Sequence, residues 1–486
     1  MVKEYKGHKF KSGKFVTPFN ELLTQLGKEE QWYLGRLPEY MWLALIFHSH
    51  PREKAIILTQ DILQELNKIS PDTIIQPKVS YILQLSEEKQ QDFYKFLLSK
   101  IDKSVLSPLT IIITYSISRP FSKYFSIKDE SIEEKISKLE YILQTFSSQH
   151  SEQTTDIRYL VFYFIQLKNK IVMSQDQSKL INQYPNLTHD NHLMAMIRPM
   201  VRNLEMMSSN FEENPNITYL ELFWERMSEL TDCELFTVQF EIEDALDKKT
   251  ALENCNKELK YFTDLFHTVS PLDQKMLVLL GLTTFSYKRF LELVEHDLYN
   301  TITGRSIIRS LIENYIMMKY LILRESEKPN IWEEYQYYGL GQFKLITERY
   351  EDTGDIFPNS HVEYKYLSLL VEEYKMRDFV DMDLNYFDRH NIKTKAEMVG
   401  ESNLYKHLYD YDSIYEHGLW GAIRESSLLK CNTASHQFHC VPDIENQQQL
   451  KSVWHDCRLL MQETLNILKK LYGYPSHLEV KINDKN

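Results

Sequence analysis

Glycine and proline are scarce in this chain, with 13 and 15 residues respectively among 486. A β-sandwich or β-barrel needs a turn about every 8–12 residues, and turns depend heavily on these two residue types. Their scarcity therefore excludes a chain built mainly of short strands. Tyrosine (31) and phenylalanine (24) are abundant by contrast. The composition favours long helices joined by short turns and predicts an all-α protein.

Long apolar runs are also missing. The longest, Leu109–Ile113 and Met276–Leu282, are far shorter than the ~20 residues that a membrane-spanning helix needs. The basic stretch from Met1 to Lys14 has no apolar segment of the kind found in secretory signals. Five cysteines are an odd number, which is typical of reduced thiols rather than of a disulfide framework. We expect a cytoplasmic protein that does not bind a membrane.

The net charge of −13 at pH 7 disfavours nonspecific binding of nucleic acid by the whole surface, but it does not exclude a local basic cleft. Several catalytic signatures are absent, including the Gly-x₄-Gly-Lys-Ser/Thr phosphate loop, Gly-x-Gly-x-x-Gly, His-Glu-x-x-His and Gly-x-Ser-x-Gly. We therefore predict no cofactor. The sequence leaves open whether the protein is an enzyme.

A length of 486 residues predicts two domains, because a single compact core seldom grows so large. Residues 1–250 alternate helical stretches with polar breaks, which predicts an irregular helical array that serves as a scaffold or recognition domain. Residues 251–486 contain longer helices, which predicts a bundle with a polar site. Ser208–Ile217 is a candidate linker. The helices predicted in the second domain are Ala251–His267, Pro271–Asn300, Gly304–Arg324, Ile331–Arg349, His361–Phe379, Asn403–Lys430 and Leu450–Tyr472.

The predicted helix Gly304–Arg324 carries the first polar constellation. It is apolar over more than half of its circumference, and Arg305, Arg309 and Glu313 form a narrow charged stripe at four-residue spacing. A charge on a mostly buried helix must be paired or hydrogen-bonded, because leaving it without a partner is costly. Two interpretations stay open, namely an Arg309–Glu313 ion pair at the rim and a polar cluster that faces an internal cleft.

Ser413, His417, Trp420 and Arg424 form the second constellation. Their spacing places them on one stripe of the predicted helix Asn403–Lys430. Imidazole suits proton transfer near neutral pH, and a serine one turn earlier can orient it. A catalytic His417 and a buried, hydrogen-bonded His417 are the two interpretations.

Sulfur and imidazole are dense between Cys431 and Cys440, where His436 and His439 also lie. All four are residue types that zinc accepts, but their spacing differs from that of known structural zinc sites. Adjacent His439 and Cys440 cannot easily reach one tetrahedral ion. We therefore predict a structural loop without a metal ion. A metal-stabilised module is the alternative, and a third interpretation joins His436 and His439 to the polar cluster.

The run Gly304–Glu313 and the segment Tyr411–Gly418 together resemble a bacterial family known only as a domain of unknown function (number 5677). Proteins of this family are helical and similar to HEPN-like and abortive-infection proteins. The resemblance covers about residues 260–470. The family pattern has Arg-x-x-x-Glu on one helix and Ser-x-x-x-His on a later one, and it corresponds here to Arg309, Glu313, Ser413 and His417.

The resemblance implies a HEPN-like bundle and an anti-phage defence or abortive-infection effector. HEPN ribonucleases use an Arg-x₄₋₆-His motif across a dimer. Arg289 and His296 have this spacing, but one or two such matches are expected by chance in a chain of this length. At His417 the order is reversed, because the nearby arginine, Arg424, follows the histidine. The predicted function is that of a bacterial defence effector with nuclease-like activity. If the protein is an enzyme, the expected reaction is RNA phosphodiester cleavage. RNA or a protein is the expected partner, and a homodimer is compatible with this function. The alternative is a non-catalytic adaptor. The expected site residues are His417 as general base, Arg309 or Arg424 as phosphate ligand, and Glu313 and Ser413.

Overall fold

The computed structural model describes residues 9–11, 14–16, 32–170, 173–209, 217–238, 240, 245–354, 360–372, 386–445 and 449–478. Most of these residues are helical, which confirms the all-α prediction. The chain forms two compact units, the first from Met1–Phe236 with Lys430–His439 and the second from Thr237–Leu429 with Cys440–Asn486. The first division between the units, at Phe236–Thr237, lies near the predicted boundary at residue 250, and Lys430–His439 is a second segment of the first unit. The candidate linker falls mostly outside the described residues.

The first unit is an irregular array of short and medium helices. Its N-terminal strands pair antiparallel, with Phe10 opposite Phe15. Residues 235–236 pair antiparallel with residues 430–431, with Leu235 opposite Cys431. The elements are β1 (Lys9–Lys11), β2 (Lys14–Val16), α1 (Met41–His48), α2 (Arg52–Ile69), α3 (Val79–Leu83), α4 (Glu87–Lys100), α5 (Arg119–Phe125), α6 (Ile132–Thr145), α7 (Glu152–Leu167), α8 (Gln175–Ile181), α9 (Met194–Ser209), α10 (Ile217–Glu229) and β3 (Leu235–Phe236), with shorter helical turns at Trp32–Arg36, Pro38–Tyr40, Lys103–Val105, Ser107–Ile111 and Tyr184–Asn186.

A buried ionic group lies in the core of the first unit. Glu205 on α9 accepts hydrogen bonds from Arg36 Nη1 at 2.7 Å and from Arg158 Nε at 2.7 Å. Both guanidinium groups also lie against the ring of Trp32, at 5.4 and 5.8 Å from its centroid. Charges at this depth are tolerated only when they are paired, so Glu205 connects α9 to α7 and to the turn at Trp32–Arg36.

The second unit contains the longest helices. No helix within the described ranges combines the length and apolar character that crossing a bilayer requires. The elements are α11 (Ala245–Val269), α12 (Gln274–Glu295), α13 (Ile302–Arg324), α14 (Ile331–Thr353), α15 (Tyr364–Glu372), α16 (Ile392–Met398), α17 (Ser402–Leu404), α18 (Asp410–Glu416), α19 (Trp420–Ser426), β4 (Leu428–Cys431, whose last two residues belong to the first unit), β5 (Cys440–Pro442) and α20 (Trp454–Tyr472), with helical turns at Leu298–Asn300, Phe387–Arg389, Tyr405–Tyr409, Ala434–His436 in the first unit, and Ser476–Leu478.

Helix α13 lies at the centre of the second unit. Its apolar residues, among them Ile308, Ile312 and Ile316, are almost fully buried. The helix begins where the Thr301 side chain accepts a hydrogen bond from the Gly304 backbone N–H at 3.1 Å, an ordinary N-cap. Gly304 also permits a close approach of the preceding turn, because a Cβ at this position would lie 2.3 Å from the carbonyl oxygen of Leu298. This contact sets where α13 starts.

The prediction of one continuous helix over Asn403–Lys430 was wrong. Helix α18 ends at Glu416, Gly418 adopts a φ of +55°, and α19 begins at Trp420. The N–H of Leu419 bonds to the carbonyl of Ile414 at 3.0 Å, and that of Gly418 to the carbonyl of Tyr415 at 3.1 Å. This pair of bonds is a Schellman motif, which terminates a helix at a left-handed glycine.

Candidate functional site

Arg309 on α13 holds α18 and the turn before it. Its Nε donates a hydrogen bond to Ser413 Oγ at 3.1 Å, and its Nη2 donates one to the hydroxyl of Tyr409 at 2.7 Å. Ser413 Oγ in turn donates to the backbone carbonyl of Tyr409 at 2.7 Å. One guanidinium group therefore fixes two hydroxyl groups on the facing segment.

Glu313 completes this arrangement one turn further along α13. The Tyr409 hydroxyl donates to Glu313 Oε1 at 2.5 Å, and Arg309 Nη2 lies 3.2 Å from the same oxygen. Burial and then the bond to Glu313 raise the pKa of Tyr409, so the phenol stays protonated. Arg309, Glu313, Tyr409 and Ser413 form what we call the Arg309 network. It contains the predicted Arg309–Glu313 pair together with Tyr409, which the sequence analysis missed.

The charged stripe of α13 continues beyond the Arg309 network. Lys319 Nζ bonds to a carboxylate oxygen of Glu401 at 2.5 Å, and Arg324 Nε to one of Asp388 at 3.2 Å. These pairs are partly exposed, so each stabilises the fold only modestly. Their shared effect is positional, because they join one face of α13 to the segment between residues 386 and 416.

Arg305, one turn before Arg309, is nearly buried. Its Nη2 donates to the carbonyl of Lys451 at 2.7 Å, and its guanidinium lies 5.5 and 5.6 Å from the ring centroids of Tyr411 and Tyr415. Both tyrosine hydroxyls donate to the carboxylate of Glu425 on α19. Arg305 is therefore held by aromatic faces and a carbonyl, and the two tyrosines connect α18 to α19.

Asp412 is the buried carboxyl group of this region, with 2% of its surface exposed. Burial raises the pKa of Asp412 to about 7, Arg305 opposes that rise, and Asp456 adds to it. Its Oδ1 has no hydrogen-bond partner among the described residues. Asp412 therefore changes its charge near neutral pH inside the second unit.

His417 and Arg424 lie outside the Arg309 network. His417 is exposed and is the C-terminal cap of α18, and Arg424 is half-buried on α19. Neither side chain has a hydrogen-bond or ion-pair partner among the residues that the structure describes. The predicted stripe of Ser413, His417, Trp420 and Arg424 on one helix was wrong, because the left-handed Gly418 separates α18 from α19.

An apolar surface is exposed at the start of α19. Leu419, Trp420 and Ile423 are 52%, 69% and 37% exposed. Ile423 lies one turn after Trp420 on the helix, and Leu419 is the residue that caps its N-terminus. We call the surface formed by these three residues the Trp420 face. Single exposed apolar residues are ordinary, but a contiguous group containing tryptophan is typical of an interaction surface.

The sulfur- and imidazole-rich segment belongs to the first unit. Cys233, Cys431, His436 and His439 place one potential metal-ligand atom each within 4.8 Å of one another. Cys440, a candidate at the sequence level, is not a member of this group. Cys233 was missed because it lies about 200 residues before the others, at 203 positions from His436. His436 and His439 therefore group with two cysteines of the same unit.

Residues 276–436 match the model of a family described as a family of unknown function (DUF5677). The match includes α13 and α18 and confirms the resemblance that their residues indicated. No curated protein matches the chain, and no solved structure does.

Proposed function

We propose that the second unit is a protein-binding adaptor that receives a partner segment on the Trp420 face. The observation that carries this proposal is the exposure of Trp420 together with Leu419 and Ile423 at the start of α19. Tryptophan on a surface provides a large apolar area at little conformational cost, and for this reason it is enriched among the residues that dominate binding energy.

The partner that fits this face is a basic amphipathic segment. The exposed carboxylates of Glu416 and Glu425 flank the Trp420 face in the sequence and outnumber its one arginine, Arg424, and the whole chain carries a net charge of −13. A second copy docked symmetrically would bring the same carboxylates together and repel. An apolar helix face bordered by lysine or arginine would instead meet complementary charge.

The Arg309 network supports this proposal because it is already satisfied internally. One cation, one anion and two hydroxyl groups pair with each other, so no charge is left over for a small ligand. What the network provides is rigidity, since it holds α18 on α13 while Tyr415 and Glu425 connect α18 to α19. A rigid docking face loses less entropy when a partner binds.

A photo-crosslinking amino acid at position 420, in cells of the organism that encodes the protein, tests the adaptor proposal. We expect one discrete heterologous adduct whose crosslinked peptide is basic and amphipathic. The matched control is position 366, because Tyr366 is also an exposed aromatic residue of this unit. A crosslink only to a second copy, or the same adducts from both positions, contradicts the proposal.

The second candidate is RNA phosphodiester cleavage by a HEPN-like bundle in a cytoplasmic defence effector. It is favoured by His417 and Arg424, whose side chains have no hydrogen-bond or ion-pair partner within the part of the chain that the structure describes. Imidazole suits proton transfer, and guanidinium suits phosphate binding. His417 would take the proton of a ribose 2′-hydroxyl, whose oxygen attacks phosphorus. The 5′-oxygen leaves with a proton, and the products are a 2′,3′-cyclic phosphate and a free 5′-hydroxyl.

The two candidates are separated by one set of variants. Under the cleavage candidate, His417→Ala and Arg424→Ala abolish RNA cleavage or cellular toxicity, whereas Trp420→Ala leaves both intact. Under the adaptor proposal, only Trp420→Ala removes the cellular effect. His407→Ala is the matched control, because this histidine is also exposed and lies in the turn before α18.

A further inference from the structure

We propose that Cys233, Cys431, His436 and His439 bind one zinc ion in a closed structural site of the first unit. Zn–S bonds of about 2.3 Å and Zn–N bonds of about 2.0 Å place a sulfur and a nitrogen of one tetrahedron about 3.5 Å apart. Cys233 Sγ lies 3.1 Å from His436 Nδ1 and 3.2 Å from His439 Nε2. Cys431 Sγ lies 3.8 Å from the same His436 nitrogen. These three sulfur–nitrogen distances lie on both sides of the distance expected when a sulfur and a nitrogen bind the same zinc ion.

The surroundings of His436 orient its ring for metal binding. Its Nε2 lies 3.1 Å from the backbone carbonyl of Thr231, which can only accept a hydrogen bond. The ring proton is therefore held at Nε2, and the lone pair of Nδ1 points toward the two sulfur atoms. A ligand histidine whose second nitrogen donates to a carbonyl is the usual outer shell of a zinc site.

The backbone between the two histidines is already shaped for a common ligand. Gln437 and Phe438 have φ values of +57° and +52°, although neither is glycine. Two successive left-handed residues are rare without a compensating contact. Phe438 has such a contact, because its ring stacks 5.7 Å from that of Tyr33. The resulting bend brings the rings of His436 and His439 to 5.4 Å from each other.

The two cysteines are held by separate backbone contacts. Cys431 Sγ accepts a hydrogen bond from the Thr433 N–H at 3.4 Å, which fixes the position of the sulfur atom. The residues on both sides of Cys233 are joined to the same loop, because Thr433 Oγ1 donates to the Asp232 carbonyl and accepts from the Glu234 N–H, both at 2.9 Å. The site therefore stabilises a pairing of chain segments that are distant in sequence.

Two thiolates and two imidazoles favour zinc over magnesium or calcium, which prefer oxygen ligands. Four protein ligands fill a tetrahedron and leave no position for water or substrate, so the role is structural. Each cysteine thiol releases its proton to solvent as its Zn–S bond forms. Zinc affinity should therefore fall as the pH is lowered.

Zinc content of the full-length protein, purified under reducing conditions without added metal, tests the proposal. We expect about one zinc per chain by elemental analysis, and a loss to below one tenth of that in Cys233→Ser and His439→Ala. Cys440→Ser is the matched control, because it removes a neighbouring thiol that is not a member of the group. Wild-type protein without stoichiometric zinc, which also fails to take up added zinc, overturns the proposal.

Cobalt substitution keeps the test decisive if a variant folds poorly. Co²⁺ added to the zinc-free wild type should give intense visible d–d bands typical of tetrahedral coordination and a thiolate charge-transfer band. His439→Cys should retain metal and increase the charge-transfer band, whereas His439→Ala should not. A Cys233–Cys431 disulfide that persists in the presence of a reducing agent contradicts a zinc site. Weak cobalt bands typical of octahedral coordination contradict it as well.

Discussion

Asp412→Asn should stabilise the protein, and the gain should grow with pH. Asp412 is 2% exposed, and its pKa is raised from 3.8 to about 7. Each factor of ten in proton affinity corresponds to about 1.4 kcal/mol, so the folded protein with ionised Asp412 is less stable by roughly 4 kcal/mol. Folded Asp412 binds its proton more tightly than unfolded Asp412, so the stability of the wild type falls as the pH rises from about 4 to about 7.

Asparagine is close in shape to protonated aspartic acid and does not ionise. Relative to the wild type we expect a gain of roughly 1.5 kcal/mol at pH 5 and of roughly 4 kcal/mol at pH 8. Urea denaturation of both proteins at each pH, followed by far-ultraviolet circular dichroism, measures the difference. Asp410→Asn is the control, because Asp410 is exposed on the same helix and its substitution removes no buried charge.

The reasoning is refuted if Asp412→Asn destabilises the protein at pH 8. Such a result would mean that attraction between Asp412 and the nearly buried Arg305 outweighs the cost of burying the carboxylate. The aromatic rings and the carbonyl around Arg305 would then be insufficient partners for its charge. A gain that is equal at both pH values would instead show that Asp412 does not titrate in this range.

Three further changes test the packing, each by urea denaturation. Glu205→Gln removes the carboxylate to which both buried arginines donate and should cost about 3–5 kcal/mol, whereas Glu229→Gln on the surface should cost almost nothing. Gly304→Ala places a Cβ against the Leu298 carbonyl and should cost roughly 1–3 kcal/mol, and an equally stable variant would show that this turn moves freely. Tyr409→Phe removes the hydroxyl that joins the two charges of the Arg309 network and should cost roughly 1 kcal/mol; no change would indicate that water replaces it.

Local periodicity was enough to predict α13 and its charged stripe. Arg309 and Glu313 are one turn apart, so their pairing follows from helix geometry alone. Tyr409 was missed because its partners lie about 100 residues away and no local pattern connects them. The sequence offered one indication of Tyr409, its position one helical turn before Ser413. This indication is weak, because tyrosines are common in this chain.

The remaining differences have two physical causes. Gly418 follows a short helical run, and a glycine in that position is a termination signal. The apolar spacing continued across it, and so α18 and α19 were merged. Cys233 could not be associated with His436 and His439, because strand pairing between residues 235–236 and 430–431 brings them together. Such pairing joins segments that are distant in sequence, so the spacing of residues along the chain does not predict it.

The return of Lys430–His439 to the first unit has a consequence for biosynthesis. A ribosome must add about 200 residues after Phe236 before this segment exists. At a translation rate of about 5–20 residues per second, the first unit lacks Lys430–His439 for roughly 10–40 s while the second unit is synthesised. During that interval β3 has an unpaired edge, and Cys233 is a lone thiol. Ribosome-bound chains that stop before residue 430 should therefore be more sensitive to proteases and thiol reagents in this region than chains that continue past His439.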